Sequence, residues 1–316
     1  MISKKEILEA ADKLAFHIHK TPILESQYFN DLIGAKLYFK AENFQKTGSF
    51  KARGATNSIL NLNEQQLKNG VATHSSGNHG QALAWAANKL SIPCWVIMPS
   101  NAPEIKKKAV KGYGAIVIEC IPTLEAREDG LKEIQRETGA VFIPPFNFHN
   151  TIVGQATAAV EIYKELENLD CILAPVGGGG LLSGTALASK YLSPSTEVFG
   201  CEPLNANDAW QSFNEKRLIP VKNPNTIADG LKTSLGDLTF TYILEGVKDI
   251  FTCTEDEIKE AMRMVWERMK IIIEPSSAVP LACILKNKNY FKGKKIALII
   301  SGGNVDFDGF FNQQGS

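Results

Sequence analysis

The sequence predicts an α/β protein built on open, twisted, mostly parallel sheets with helices on both faces. Three observations predict it. Short apolar runs alternate with segments of helical period along most of the 316 residues. The runs are apolar almost throughout instead of alternating, as strands buried on both faces are. Three of them end in glycine-rich polar turns, the place where parallel sheets bind their ligands.

Taken in chain order, residues 1–16 read as an amphipathic helix with charges inside it, which is not a signal peptide. Residues 72–75 form the first strand candidate, followed by Ser76, Gly77, Asn78, His79 and Gly80 and then a helix over 81–90. Strands at 92–98, 115–119 and 141–143 alternate with helices at 103–113, 124–139 and 150–166. The strand at 171–176 runs into Gly177, Gly178, Gly179 and Gly180 and a helix over 181–191. A strand at 197–202, a Pro/Asn-rich surface loop at 218–226 and a strand at 250–253 follow. Thr254 and Glu257 are spaced as a capping box that opens a helix to about residue 270. The strand at 296–301 ends in Ser301, Gly302, Gly303 and Asn304. Three such turns predict one composite site.

Composition narrows the function. Lys plus Arg and Asp plus Glu are 34 each, a net charge of zero. That excludes the basic surplus of a nucleic-acid binder and attachment to anionic membranes by charge alone. No apolar stretch is long enough to span a bilayer. The six cysteines form no C-x-x-C pair and read as small buried hydrophobes in a reducing, cytoplasmic setting.

Two features carry chemistry. Gly177–Gly180 leaves backbone N–H groups unobstructed at a helix N-terminus, a phosphate cradle that needs no lysine; a flexible turn is the bland alternative. The pattern is neither a P-loop nor a dinucleotide fingerprint. Lys51 lies among small residues and Phe50, with Arg53 close in sequence. Most lysines are solvated surface charges, but a neighbouring cation and partial desolvation would lower this one's pKa and free its amine as a nucleophile. An uncharged amine plus a separate phosphate cradle is what a phosphorylated aldehyde cofactor requires.

SFKARGA, SSGNHGQAL, PVGGGGLLSG, EPLNANDAW, TIADGLK, WERMKIIIEPSSA and ISGGNVD occur in this order. Together they resemble the pyridoxal-phosphate serine racemase and serine/threonine dehydratase family, a fold-type II group, over about residues 5–307. The resemblance implies two domains, residues 1–69 plus 148–316 as the large one and 70–147 as a small mobile one, with the cofactor in the cleft. It implies that Lys51 is the Schiff-base lysine, that Phe50 packs beside the cofactor, and that Gly177, Gly178, Gly179, Gly180 and Leu181 hold its phosphate. Gly230 would line the pocket, Asn78 would reach the phenolic oxygen, and Ser301 would face the pyridine nitrogen. A hydroxyl there cannot stabilise a pyridinium ion as a carboxylate does, so the cofactor is expected to be the weaker electron sink.

Racemisation needs an acid/base group on each face of Cα, and Ser76 resembles the serine that racemases place opposite the lysine. Its alternatives are a helix-capping turn serine or a substrate-carboxylate contact. Ser75, Asn78 and His79 would present donors to the substrate carboxylate. Arg127 resembles an arginine that reaches substrate on closure, against a solvated helix arginine. Two positions depart from the family's mammalian pattern: Thr233 sits where a serine would contact substrate, and Phe146 stands where an asparagine is expected.

The resemblance also implies a divalent-ion site: Glu202, Ala206 and Asp208 match the one the racemase group carries, an oxygen set suited to Mg²⁺, Ca²⁺ or Mn²⁺ with a structural role. Ser26, Lys46, Thr47, Gln81, Tyr113, Lys270 and Asn304 fall where racemases bind ATP between subunits as an allosteric activator, which implies a homodimer. The expected activity is interconversion of L- and D-serine with dehydration to pyruvate and ammonia, threonine being the second substrate candidate. The alternatives are a threonine/serine dehydratase with little racemisation, an aspartate racemase (weakened because no serine cluster lies at 146–149), and a catalytically silent cofactor- or nucleotide-binding regulator.

Overall fold

The computed structural model describes residues 1–307; the last part of the expected large domain, 308–316, lies outside the described residues. The strands are β1 (Ile23–Glu25), β2 (Lys36–Ala41), β3 (Val71–His74), β4 (Cys94–Pro99), β5 (Ile116–Cys120), β6 (Val141–Phe142), β7 (Cys171–Pro175), β8 (Glu197–Pro203), β9 (Asp249–Cys253) and β10 (Lys295–Ile300). They form two sheets: six strands in the order β1-β2-β10-β7-β8-β9 and four in the order β5-β4-β3-β6. Every pairing is parallel except β1 with β2, an edge pair.

The apolar character of the strands follows from cover on both faces. Along β10, Ala297 and Ile299 join one buried cluster while Ile296, Leu298 and Ile300 join the other. The same alternation splits the smaller sheet, with Val96 and Met98 on one side and Ile97 on the other. Side chains of period two that are all buried leave no polar stripe in the sequence.

The helices are α1 (Lys4–Leu14), α2 (Gln27–Ile33), α3 (Lys51–Leu60), α4 (Glu64–Asn69), α5 (Asn78–Lys89), α6 (Glu104–Gly112), α7 (Leu124–Thr138), α8 (His149–Glu165), α9 (Gly180–Leu192), α10 (Asp208–Glu215), α11 (Asp237–Gly246), α12 (Glu255–Met269), α13 (Pro275–Lys286) and α14 (Lys288–Phe291). The capping box of α12 is present in full. The eight strands expected from sequence all form within a few residues of their expected limits. The sequence reading lacked β1, β2 and several helices, α3 and α13 among them. In β2, Lys40 breaks the apolar run yet is fully buried, because its ammonium donates to Glu161 at 2.6 Å and to the Thr21 carbonyl at 2.7 Å. Helix α3 is buried from Ala52 to Ile59 and so carries no polar face to betray its period.

Five cysteines are buried, Cys120 is partly so, and all six are free. Among the described residues no helix is long and apolar enough to cross a membrane.

Candidate active site

The carboxyl ends of the strands converge as expected. Ile300 at the end of β10 pairs with Ala41 at the end of β2. The segment leading to α3 then folds back on β10: Ser49 bridges Gly302, and the Phe50 amide donates to the Ser301 carbonyl at 2.9 Å. Lys51, the first residue of α3, is thereby held next to Ser301.

The Lys51 ammonium donates to the Pro145 carbonyl at 2.9 Å and lies 5.0 Å from the centre of the Phe50 ring. Burial lowers its pKa to about 8, with Glu274 opposing the shift. Arg53 takes no part, contrary to the sequence expectation. Two residues along a helix is more than half a turn, so the guanidinium leaves on the other side. There it donates to Glu42 at 2.7 and 2.7 Å and to Glu161 at 2.7 and 2.9 Å. Burial would lower the Arg53 pKa, but these two carboxylates more than offset it and raise it.

Between β7 and α9 the four glycines are forced by space. A Cβ at Gly178 would meet the Phe146 ring at 2.4 Å, and Gly179 has φ +88°. Phe146, the departure noted in the sequence, packs on this loop one residue after the carbonyl that holds Lys51. Gly230 closes the other side, its carbonyl 3.0 Å from where a Gly177 Cβ would stand. The α9 ladder starts with the Ser183 amide donating to Gly179 at 2.8 Å, which leaves the amides of the first turn, Leu181 included, for an anion. An amine whose pKa burial has lowered, an anion cradle and a buried hydroxyl at Ser301, brought together at the strand ends, fit pyridoxal phosphate.

Asn78 opens α5, and its amide is engaged: Nδ2 donates to both Glu274 oxygens at 3.0 Å, and Oδ1 accepts from Asn304 at 2.9 Å. To reach a cofactor's phenolic oxygen it must release part of that contact. Glu274 was not singled out from the sequence, although it is a lone acid at the end of an apolar run and beside a proline. Burial, reinforced by Asp229, pushes its pKa up to about 7. Ser277, which touches Ser301 at 3.0 Å, was likewise missed.

The N-cap of α5 is Gly77, with no side-chain cap bond. Ser76 therefore does not cap the helix, and its hydroxyl has no hydrogen-bond partner among the described residues. Ser75 Oγ accepts from the Gly77 amide at 3.3 Å. The His79 side chain is turned away from the role of carboxylate donor. It is 2% exposed, and its Nε2 meets the Ile143 carbonyl at 2.9 Å. A carbonyl only accepts, so Nε2 carries the proton, and burial lowers the ring's pKa to about 3. What His79 can offer at the helix start is its backbone N–H. Arg127 lies on α7, its Nε bonded to the Thr123 carbonyl at 3.3 Å, close enough to His74 to help lower that ring's pKa after burial. Thr233 is exposed and shares no hydrogen bond with these residues.

The two carboxylates of the expected ion site are buried. Glu202 caps α10, accepting from the amides of Ala209 at 3.0 Å and Trp210 at 2.9 Å. Both Asp208 oxygens are buried without a partner, and Ala206 is buried beside them in sequence. Burial, then Asp208, raises the Glu202 pKa, and burial pushes Asp208 up to about 6. Such a pair fits a cation. Among the described residues no three His, Cys, Asp or Glu side chains converge, so an ion would complete its shell from the Ala206 carbonyl and water.

Of the expected ATP residues, the structure joins Thr47 and Asn304: Asn304 Nδ2 donates to the Thr47 carbonyl at 2.8 Å, and Thr47 has φ 58°. Lys46 neighbours them, and Gln81 is buried on α5. Ser26, Tyr113 and Lys270 sit at the ends of α2, α6 and α12 and share no hydrogen bond with that group.

The family model for pyridoxal-phosphate dependent enzymes matches residues 14–302. Serine racemase from Dictyostelium discoideum is 51% identical over 311 residues, covering 96% of this chain and 95% of the relative. Its crystal structure superposes with a TM-score of 0.93, covering 97% of this chain and 99% of that one, at 51% identity. The β-hydroxyaspartate dehydratase of Paracoccus denitrificans is 46% identical over 304 residues, covering 96% of each chain.

Proposed function

This chain belongs to the pyridoxal-phosphate dependent enzyme family, with its type II fold, and from that premise we propose that it interconverts L- and D-serine and dehydrates serine to pyruvate and ammonia. The carrying observation is the pair Lys51 and Ser76: an amine whose pKa burial brings down to about 8, so that it gives up its proton far more readily than an ordinary lysine, and a hydroxyl at the start of α5 that caps nothing. The serine racemases among its relatives support the same reading.

When bound, the cofactor supplies an electron sink for the charge left on Cα. Lys51 Nζ would hold its aldehyde and, once released, move the Cα proton of one enantiomer. Ser76 Oγ would move the proton of the other, helped by the free amides of α5 around it. Gly177–Gly180 and Leu181 would hold the phosphate, Phe50 and Gly230 would line the ring, Asn78 would face the phenolic oxygen and Ser301 the ring nitrogen. Ser75, Asn78 and the His79 amide would receive the substrate carboxylate, with Arg127 and Thr233 arriving on closure of residues 70–147 onto 1–69 plus 148–316. The Lys106–Asp229 contact at 2.6 Å joins these two parts and supports a closing motion that excludes water.

Chiral product analysis tests the proposal. With L-serine the enzyme should form D-serine and pyruvate; Ser76→Ala should lose D-serine formation and D-serine turnover while sparing much of L-serine dehydration. Intact racemisation by Ser76→Ala would overturn the two-base role. A second reading, a dehydratase with little racemisation, is favoured by the Paracoccus relative's name; it predicts pyruvate with no D-serine.

Glu202, Ala206 and Asp208 would hold Mg²⁺ or a similar divalent ion. ATP would act as an activator at Ser26, Lys46, Thr47, Gln81, Tyr113, Lys270 and Asn304 in a homodimer; a rise in pyruvate formation with ATP and a dimer mass by light scattering are the expected results. A reducing cytoplasm suits the six free cysteines.

A further inference from the structure

Ser301 has a buried companion. Ser277 Oγ, on the first turn of α13, lies 3.0 Å from Ser301 Oγ. It also accepts from the Gly302 amide at 2.7 Å and reaches the Gly302 carbonyl at 2.7 Å. Ser277 is 1% exposed and Ser301 2%. Ser301 Oγ has no other hydrogen-bond partner among the described residues.

With the hydrogen bond between the two hydroxyls kept, counting protons limits the arrangements to two. The Gly302 N–H can only donate, so it always occupies one lone pair of Ser277. Ser277 has a single proton. In one arrangement it goes to the Gly302 carbonyl, Ser301 gives its own proton to Ser277, and Ser301 is left with lone pairs alone. In the other, Ser277 turns its proton to Ser301, and the Ser301 proton is free to be donated onward. The Gly302 carbonyl tolerates the change because it also accepts from the Glu274 amide at 3.1 Å.

We infer that Ser277 is a positioning residue that lets Ser301 meet an aromatic ring nitrogen either as acceptor or as donor, and so favours the protonated nitrogen relative to a solitary serine. The inference rests on the reading that Ser301 faces the cofactor's ring nitrogen. Without Ser277, accepting from a ring N–H would leave the buried Ser301 proton unpaired, a cost that donation to an unprotonated nitrogen avoids. The hydroxyl pair thus softens the weakness expected of a serine at this position.

The test follows the ring nitrogen itself, without substrate. Wild type, Ser277→Ala and Ser277→Thr are loaded with pyridoxal phosphate labelled with ¹⁵N in the ring, and the ¹⁵N chemical shift is titrated against pH. The midpoint in Ser277→Ala should fall by about one pH unit, a tenfold change, while Ser277→Thr, which keeps the hydroxyl, should titrate as wild type. Equal midpoints in wild type and Ser277→Ala would overturn the inference, as would a threonine variant displaced as far as alanine. Signals equal to free cofactor in all three proteins would overturn the cofactor reading and this inference with it, an outcome distinct from a bound cofactor whose midpoint ignores Ser277.

Discussion

Lys51 and Arg53 stand two residues apart on α3, both largely removed from water, and their charges meet opposite fates. Arg53 is enclosed by Glu42 and Glu161, with Lys40 completing the network through Glu161, and its pKa is raised. Lys51 finds a single carbonyl and one carboxylate, Glu274, that only partly opposes burial, and its pKa falls to about 8. Burial acts alike on both; counter-charges decide which cation is fixed and which can lose its proton. One face of α3 holds the fold together and the other leaves an amine ready for chemistry.

The largest expected effect breaks the Arg53 side. Arg53→Met leaves Glu42 buried without its cation and should cost about 3–5 kcal/mol in denaturant unfolding. A loss below about 1 kcal/mol would mean that the network contributes little. A smaller effect of opposite sign sharpens the Lys51 side. Its folded pKa of about 8 lies below the ordinary 10.5, so the unfolded chain binds more protons between those values, and stability rises with pH across that window. Below about pH 8 the full cost is present. Cofactor-stripped Lys51→Met should therefore be more stable than wild type by about 2–3 kcal/mol at pH 7, the gap closing by pH 10.5. A gap independent of pH would refute the desolvation account.

Smallest is the effect at a third group of buried charges, Glu202 and Asp208, which lack a counter-ion from the chain. Mg²⁺ at ten times its dissociation constant should stabilise the protein by about 1.4 kcal/mol, reversed by EDTA and absent in Asp208→Asn. An equal response in that variant would place the ion elsewhere.

The same comparison explains what was legible. Strands buried on both faces announce themselves as unbroken apolar runs, and the glycine turns after β3, β7 and β10 mark the site because ligands gather at strand ends. Lys40 and Arg53 depend on Glu161, more than a hundred residues away, so nothing local separates them from solvated cations. Sequence adjacency made Arg53 look like a neighbour of Lys51; placing α3 would have corrected this, but a helix buried on nearly all sides shows no stripe. Glu274 and Ser277 sit in a recognised motif, yet their partners Asn78 and Ser301 come from other elements.

Every role proposed for the site depends on the Lys51 amine holding the cofactor. Reducing the loaded enzyme with borohydride and mapping the pyridoxyl group by peptide mass spectrometry tests it directly. The prediction is a single labelled peptide carrying Lys51; label on another lysine, or none, would contradict it.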